Sequence, residues 1–389
     1  MPTAKKTKKP PVKSSSMKPS WKTSPITNPQ EYVNSVAISA DASTVVAGTY
    51  YFPYAPGAKH SPADISPITV GTFAWNAKGK LLWKDEFSAT EGVYWVALAR
   101  NASWAASGGR TAPAQGFVYI YNASTGSRVL TYNPKVRVNM VAFSSDASFL
   151  VAGADAVYLF SRAGSSWSAP QVLPLAAGDS ATAIAISADG QWIVVGTFTG
   201  SVILVRNTGG NFGAPVSWTL GGTIHWVAMS ADGSTFAAAA SSSKALYFKT
   251  ASFPATKTPA WTAALAGCAG CRSVALSDDG SLLSAVGNAG TGGKVFLFSD
   301  QGASGKQLWS QPTKKNPNST SIDSAGKYVT AADGYPDKTP GDFYLFAASG
   351  SPQGSFQTSN MSWPMQISAN AAAIAAGSDD SHIYYFPVK

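Results

Sequence analysis

Residues 182–206 read TAIAISADGQWIVVGTFTGSVILVR. An apolar run at 184–187 is followed by the turn residues Asp189 and Gly190 and by a second apolar run at 192–196. A short Thr/Gly loop leads into a third run at 202–205. β-Branched and aromatic residues bounded by Asp and Gly read as strands. The stretch therefore predicts a three-stranded antiparallel meander. Its strands are apolar on both faces, and one meander alone leaves a face in water. The unit must be stacked against others.

The unit recurs along nearly the whole chain. Aligned on the first turn, the copies read VAISADAS (36–43), VALARNAS (96–103), VAFSSDAS (141–148) and IAISADGQ (184–191). They continue as VAMSADGS (227–234), VALSDDGS (274–281), TSIDSAGK (320–327) and MQISANAA (365–372). The turn position holds Asp41, Asn101, Asp146, Asp189, Asp232, Asp279, Ala325 and Asn370, in steps of 60, 45, 43, 43, 47, 46 and 45 residues. Asp or Asn suits such a turn because its side chain bonds nearby backbone N–H groups. Segments around Trp21, Trp83, Trp218, Trp261 and Trp309 each precede a copy of the first strand and read as a fourth strand. A period of about 40–50 residues with four antiparallel strands per unit predicts an all-β chain folded as a β-propeller. The repeats predict eight blades. Seven is the alternative, if the repeat at Ala325, which lacks the turn acid, is not a blade. The last repeat, 361–389, has three strands. The N-terminal strand at Trp21 supplies the fourth and closes the ring, leaving no open edge.

The chain has 389 residues, 45% hydrophobic, 12% aromatic and 13% charged, with a formal net charge of +9. The charge belongs to a tail. Residues 1–22 hold seven lysines and no acid, and the remainder holds 22 basic against 20 acidic residues. Residues 1–19 form a Lys/Pro/Ser-rich arm with little to bury, a composition that predicts disorder in isolation. Residues 20–389 read as a single propeller domain. Lys5, Lys6, Lys8, Lys9 and Lys13 are candidate contacts with a protein partner, with nucleic acid or with an anionic surface. No apolar run reaches the ~20 residues of a membrane-spanning helix. No apolar h-region follows the basic start, so a cytoplasmic location is expected.

The pattern V-A-x-S-x-D-G, complete at 227–233, and third strands such as KVFLFS (294–299) resemble the WD40 repeat. Trp75-Asn76 and Tyr121-Asn122 stand where that family has Trp-Asp, and its Gly-His pair is missing. Asn76 and Gly79 before Trp83, and Asn122, Thr125 and Gly126, are similar instead to the quinoprotein repeat. The resemblance is thus to the WD40-like and quinoprotein-like (PQQ-repeat-like) propeller superfamily, over residues 20–389. It implies the fold. It implies no single function, because propellers carry scaffolds, ligand binders and enzymes alike.

Counting back from the aligned turns gives a top-face ring of Asn34, Tyr94, Asn139, Thr182, His225, Arg272, Asn318 and Trp363. Such a ring is either the wet ends of strands or a recognition site. Enlarged loops flank it. Residues 50–68 carry Tyr50, Tyr51, Phe52 and Tyr54, which either cover the channel or bind a partner. Residues 333–342 carry Tyr335. Cys268 and Cys271, with His225 and His60, would make four zinc ligands. A second C-x-x-C is missing, so the plainer reading is a reduced turn or a local disulfide, and neither metal nor cofactor is assigned. Three histidines, no G-x-S-x-G, no P-loop and no acid pair speak against catalysis. The expected function is a non-enzymatic interaction scaffold, a subunit of a larger protein assembly. The alternative is a quinoprotein-like propeller binding a small ligand or cofactor (a dehydrogenase in its enzymatic form), or a propeller assembly factor. The third reading is a nucleic-acid-associated protein acting through the arm.

Overall fold

The computed structural model describes residues 16–26, 31–51, 66–111, 115–336 and 339–389. The recurring turn shows why each unit forms. Ser187 Oγ donates to Asp189 Oδ1 at 2.6 Å, Gln191 N donates to the same oxygen at 2.9 Å, and Trp192 N donates to Ser187 Oγ at 3.0 Å. The same Ser-to-acid or Ser-to-Asn bond recurs at Ser39–Asp41, Ser144–Asp146, Ser230–Asp232, Ser277–Asp279 and Ser368–Asn370. The next residue is left-handed, whether Gly190 at φ 73° or Ala42 at φ 64°. The repeat at Ala325 builds its turn from Asp323, which accepts from Ala325 N at 3.2 Å and Tyr328 N at 2.6 Å. One carboxylate there replaces both the serine and the acid, and Pro317–Ile322 pairs with Tyr328–Asp333 like the others.

Antiparallel units with four main strands occupy 31–89, 92–132, 140–174, 181–219, 224–264, 270–313 and 317–357, and the two-residue strands Ser166–Trp167 and Asn211–Phe212 add a fifth to the third and fourth. A bridge between Tyr50 and Gly92 joins the first two into one eight-stranded sheet. Ser362–Ile367, Ala373–Ser378 and Ile383–Pro387 form the last unit with Trp21–Thr23, Trp21 lying opposite Tyr385. The sheets are radial: the first strand of each unit touches the first strand of the next, and Glu31–Ile38 touches Ser362–Ile367. Both faces of each sheet are thereby covered, and the second strand Thr44–Tyr51 is buried along all but its last residue. The fold is a β-propeller. We call the end where first strands begin the upper face.

Two contacts tie neighbouring units at the lower end. The first is made by tryptophans of outer strands. Trp21 Nε1 donates to Ala77 O at 3.0 Å, Trp83 Nε1 to Ala123 O at 2.6 Å and Trp309 Nε1 to Ala348 O at 2.8 Å. Each indole covers a glycine of the next unit's turn, and a Cβ on Gly126 would stand 2.5 Å from Trp83 Cγ. Gly126 is also left-handed at φ 74°, so both the contact and the dihedral require glycine. The second contact is a belt of backbone bonds. It runs from Ala188 N to Ala231 O, Ala231 N to Asp278 O, Asp278 N to Ser324 O and Ser324 N to Ala369 O. Asn370 N to Ala40 O then carries it across the chain termini.

Residues just before Trp21 also pack. Met17 is 9% exposed and joins a core with Phe343 and Phe386, and its N–H donates to Ser355 O at 2.9 Å. Removing residues 1–15 should therefore leave the urea midpoint unchanged. Removal through Thr23 should lower it, and Trp21→Ala alone should cost on the order of 3 kcal/mol in equilibrium unfolding.

Candidate functional site

The first strands share an irregularity that sets the upper face. Pairing with the second strand slips between Val33 and Ser35, Val93 and Trp95, Ala181 and Ala183, and Ile224 and Trp226. It slips again between Cys271 and Ser273, Pro317 and Ser319, and Ser362 and Met365. The residues passed over include Asn34, Tyr94, Thr182, His225, Arg272, Asn318 and Trp363, the ring positions counted from the turns. Asn139 holds the same place directly before Met140–Phe143. A bulge releases a residue from strand alternation and re-aims its side chain.

Seven of these ring residues line one cavity of about 360 Å³. Asn34 stands behind its wall. Its Nδ2 donates to Tyr94 O at 2.7 Å, and its carbonyl accepts from Trp363 Nε1 at 3.0 Å. Trp95, Met140 and Trp226 complete the cup from the first strands, and Asn316, Tyr335 and Pro336 close one side. Trp226 meets Trp95 edge-on at 5.1 Å and Trp363 at 6.3 Å between ring centres. Trp95 and Trp226 also line two further cavities of about 280 and 230 Å³ beside the inner strands. An indole layer thus lies between the cup and the deeper channel.

Charge is unevenly placed. Arg272 is exposed, is the one charged residue lining the cup, and has no hydrogen-bond or ion-pair partner among the described residues. Burial, and then the charge of Arg272, hold the His225 pKa below its ordinary value, so the imidazole is neutral at pH 7. His225 Nε2 and Ser241 Oγ share a hydrogen bond of 3.2 Å. Behind Tyr94 and Asn139, and outside the lining, Glu91, 3% exposed, is paired with Arg110 at 2.6 Å and Arg137 at 3.2 Å. Arg137 also donates to Asn139 Oδ1 at 3.0 Å and lies 4.2 Å from the Tyr94 ring centre.

Tyr50 differs from its reading as a loop residue. It belongs to Thr44–Tyr51 and is 6% exposed. Its ring meets Tyr94 edge-on at 5.6 Å, and its hydroxyl lies 3.4 Å from Glu91 Oε2. Burial, then the Glu91 charge, push its pKa far up. Tyr50 therefore supports the ring from within, and Tyr51 ends the same strand. Tyr335 lines the cup, with its hydroxyl donating to Gly290 O at 2.6 Å. Phe52, Tyr54, His60 and Lys5, Lys6, Lys8, Lys9 and Lys13 lie outside the described residues. Cys268 and Cys271 are free thiols. Cys271 is buried against Val274 and Phe296, which pushes its thiol up, and Cys268 Sγ donates to Gly287 O at 3.3 Å. Among the described residues, no group of three or more His, Cys, Asp or Glu is placed to hold a metal.

No protein-family model matches the chain, and no curated protein matches it in sequence. Solved structures do match in shape. Sqt1 of Chaetomium thermophilum, bound to the N-terminus of ribosomal protein L10, has a TM-score of 0.72 at 13% identity, over 92% of this chain and 97% of that one. U3-55K has a TM-score of 0.57 at 15% identity, over 80% and 90% of the two chains. The RRP9 WD40 repeats have a TM-score of 0.57 at 14% identity, over 82% and 92%. At these identities the likeness is one of fold. This chain has the WD40-like β-propeller fold. Among the described residues, no helix is long and apolar enough to cross a membrane.

Two expectations follow for the upper face. Glu91→Gln should cost about 2 kcal/mol of stability in urea unfolding, because two half-buried guanidiniums lose their counter-charge. Asp379, beside Met361, has its pKa raised to about 7, first by burial and then by the charge of Asp380. The folded chain thus keeps a proton that the unfolded chain loses near 3.8. That makes stability fall as pH rises between these values and level off above about 7. Urea midpoints at about pH 5 and about pH 7.5 should drop more for the wild type than for Asp379→Asn. Equal drops contradict the assignment.

Proposed function

We propose that this chain is a non-enzymatic interaction scaffold within a larger protein assembly, an eight-bladed propeller whose upper cup holds a segment of a partner subunit. One observation carries the reading: the bulges of successive first strands bring polar and aromatic side chains to a single mouth, above a layer of indoles. The radial antiparallel units, together with the one that Trp21–Thr23 completes, support a count of eight blades. The cup suits binding better than catalysis. Among the described residues that line the cup, none puts a carboxylate beside His225, and its Nε2 is engaged with Ser241. The cup combines aromatic faces, amides and one guanidinium, the composition of a recognition pocket. Sqt1, a propeller of the same fold, was solved holding the N-terminus of another protein, which supports a terminal or extended segment as occupant. The lysines of residues 1–19 are proposed as a second contact, supported by their charge against a nearly neutral remainder.

The test is recovery of companions from the native source. A chain carrying Arg272→Glu and Asn318→Arg should fold with the wild-type unfolding midpoint. It should recover about tenfold less of the proteins that the wild-type chain brings down. Deletion of residues 1–15 should give a smaller loss. Undiminished recovery by the double variant contradicts the cup as the partner site.

A further inference from the structure

Resting on that reading, we infer that the cup recognises a carboxylate carried next to an apolar or aromatic side chain on an extended segment of the partner. Among the described residues, Arg272 is the sole charged group lining the cavity, and no carboxylate lines it. Nothing in the described protein neutralises Arg272, so its forked donors are open to a ligand. A guanidinium engages a carboxylate with two parallel bonds, a geometry that a lone ammonium cannot supply. The nearby carboxylate of Glu91 does not offset this preference, since it lies outside the lining and is shared between two arginines. His225, kept neutral beside Arg272, adds no second cation. One guanidinium suits a single negative charge better than a run of phosphates.

The remaining lining fixes what accompanies that charge. Trp226, Trp363 and Tyr94 offer aromatic faces within the same 360 Å³, enough for one side chain of a partner. Trp226 Nε1, a donor only, makes no hydrogen bond among the described residues. Asn318 also lines the cup; its Nδ2 donates to Gly334 O at 3.3 Å, and its Oδ1 accepts no hydrogen bond among the described residues. That amide oxygen is open to a backbone N–H of an extended segment. Carboxylate, apolar side chain and N–H thus come from adjacent positions of one chain. The lysine-rich arm of this protein lacks the required charge and is not the occupant.

The test titrates the full-length protein, by calorimetry and ligand-observed NMR, with three probes. These are N-acetyl-phenylalanine, N-acetyl-aspartyl-phenylalanine amide and N-acetyl-phenylalanine amide. They carry a terminal carboxylate, a side-chain carboxylate and none. At least one acid should bind about tenfold more tightly than the neutral amide, and the better acid tells a chain terminus from an acidic side chain. Arg272→Gln should abolish the difference, while Lys306→Gln on an outer strand should keep it. Equal binding of acid and amide, or a preference that survives Arg272→Gln, overturns the inference. So does the absence of binding by every probe at about 1 mM. None of these results touches the cup as the partner site, which recovery of companions by the double variant tests separately.

Discussion

An outer-strand indole seated on a glycine of the next unit is the contact on which this ring depends. A radial sheet has little backbone pairing with its neighbours, so side chains must hold adjacent units in register. Trp21, Trp83 and Trp309 each combine burial of a large ring with one hydrogen bond to a backbone carbonyl across the gap. The belt of N–H to carbonyl bonds between successive turns acts at the same end. Trp21 makes this contact at the seam. Its strand pairs with Ile383–Pro387, and its indole reaches Ala77 of the first unit. The start of the chain therefore locks the last unit to the first.

Holding the lower end fixed gives the upper end a stable frame. The bulges can then depart from strand alternation at the same height in unit after unit without loosening the core. Tyr94 shows how the frame reaches the site. Its ring packs on Tyr50 and under Arg137, and Glu91 anchors Arg137. A residue at the mouth is thus positioned by a buried ion pair that no partner would touch. The arrangement gives the cup walls of settled geometry, as affinity through preorganisation requires.

The strands and their turns were legible because both have local signatures: apolar runs, Asp or Asn, and a small left-handed residue. The divergent repeat at Ala325 keeps the strand pairing, although its acid, Asp323, sits two positions earlier than in the other turns. The ring positions were legible from the same alignment. The bulges were not, since a one-residue slip leaves no mark in composition. For that reason Trp95 and Trp226 went unread. They follow Tyr94 and His225 directly, and simple alternation sends neighbours to opposite faces. The cluster of Glu91, Arg110 and Arg137 was unreadable for another cause. Its members sit on separate segments and meet only through the fold. Tyr50 reads as loop from the sequence because aromatics and prolines run on after it, while its own position continues the strand from Thr44.

The central claim is that the upper mouth, and not the turn belt below, faces the partner. Hydrogen exchange on the particle isolated gently from its native source, compared with the free chain, tests it most directly. The account predicts slowed exchange around Tyr94, His225, Arg272 and Asn318 and in residues 333–336, with the turns at Asp146, Asp189 and Asp232 unchanged. Protection confined to those turns, with the mouth exchanging as in the free chain, would contradict it.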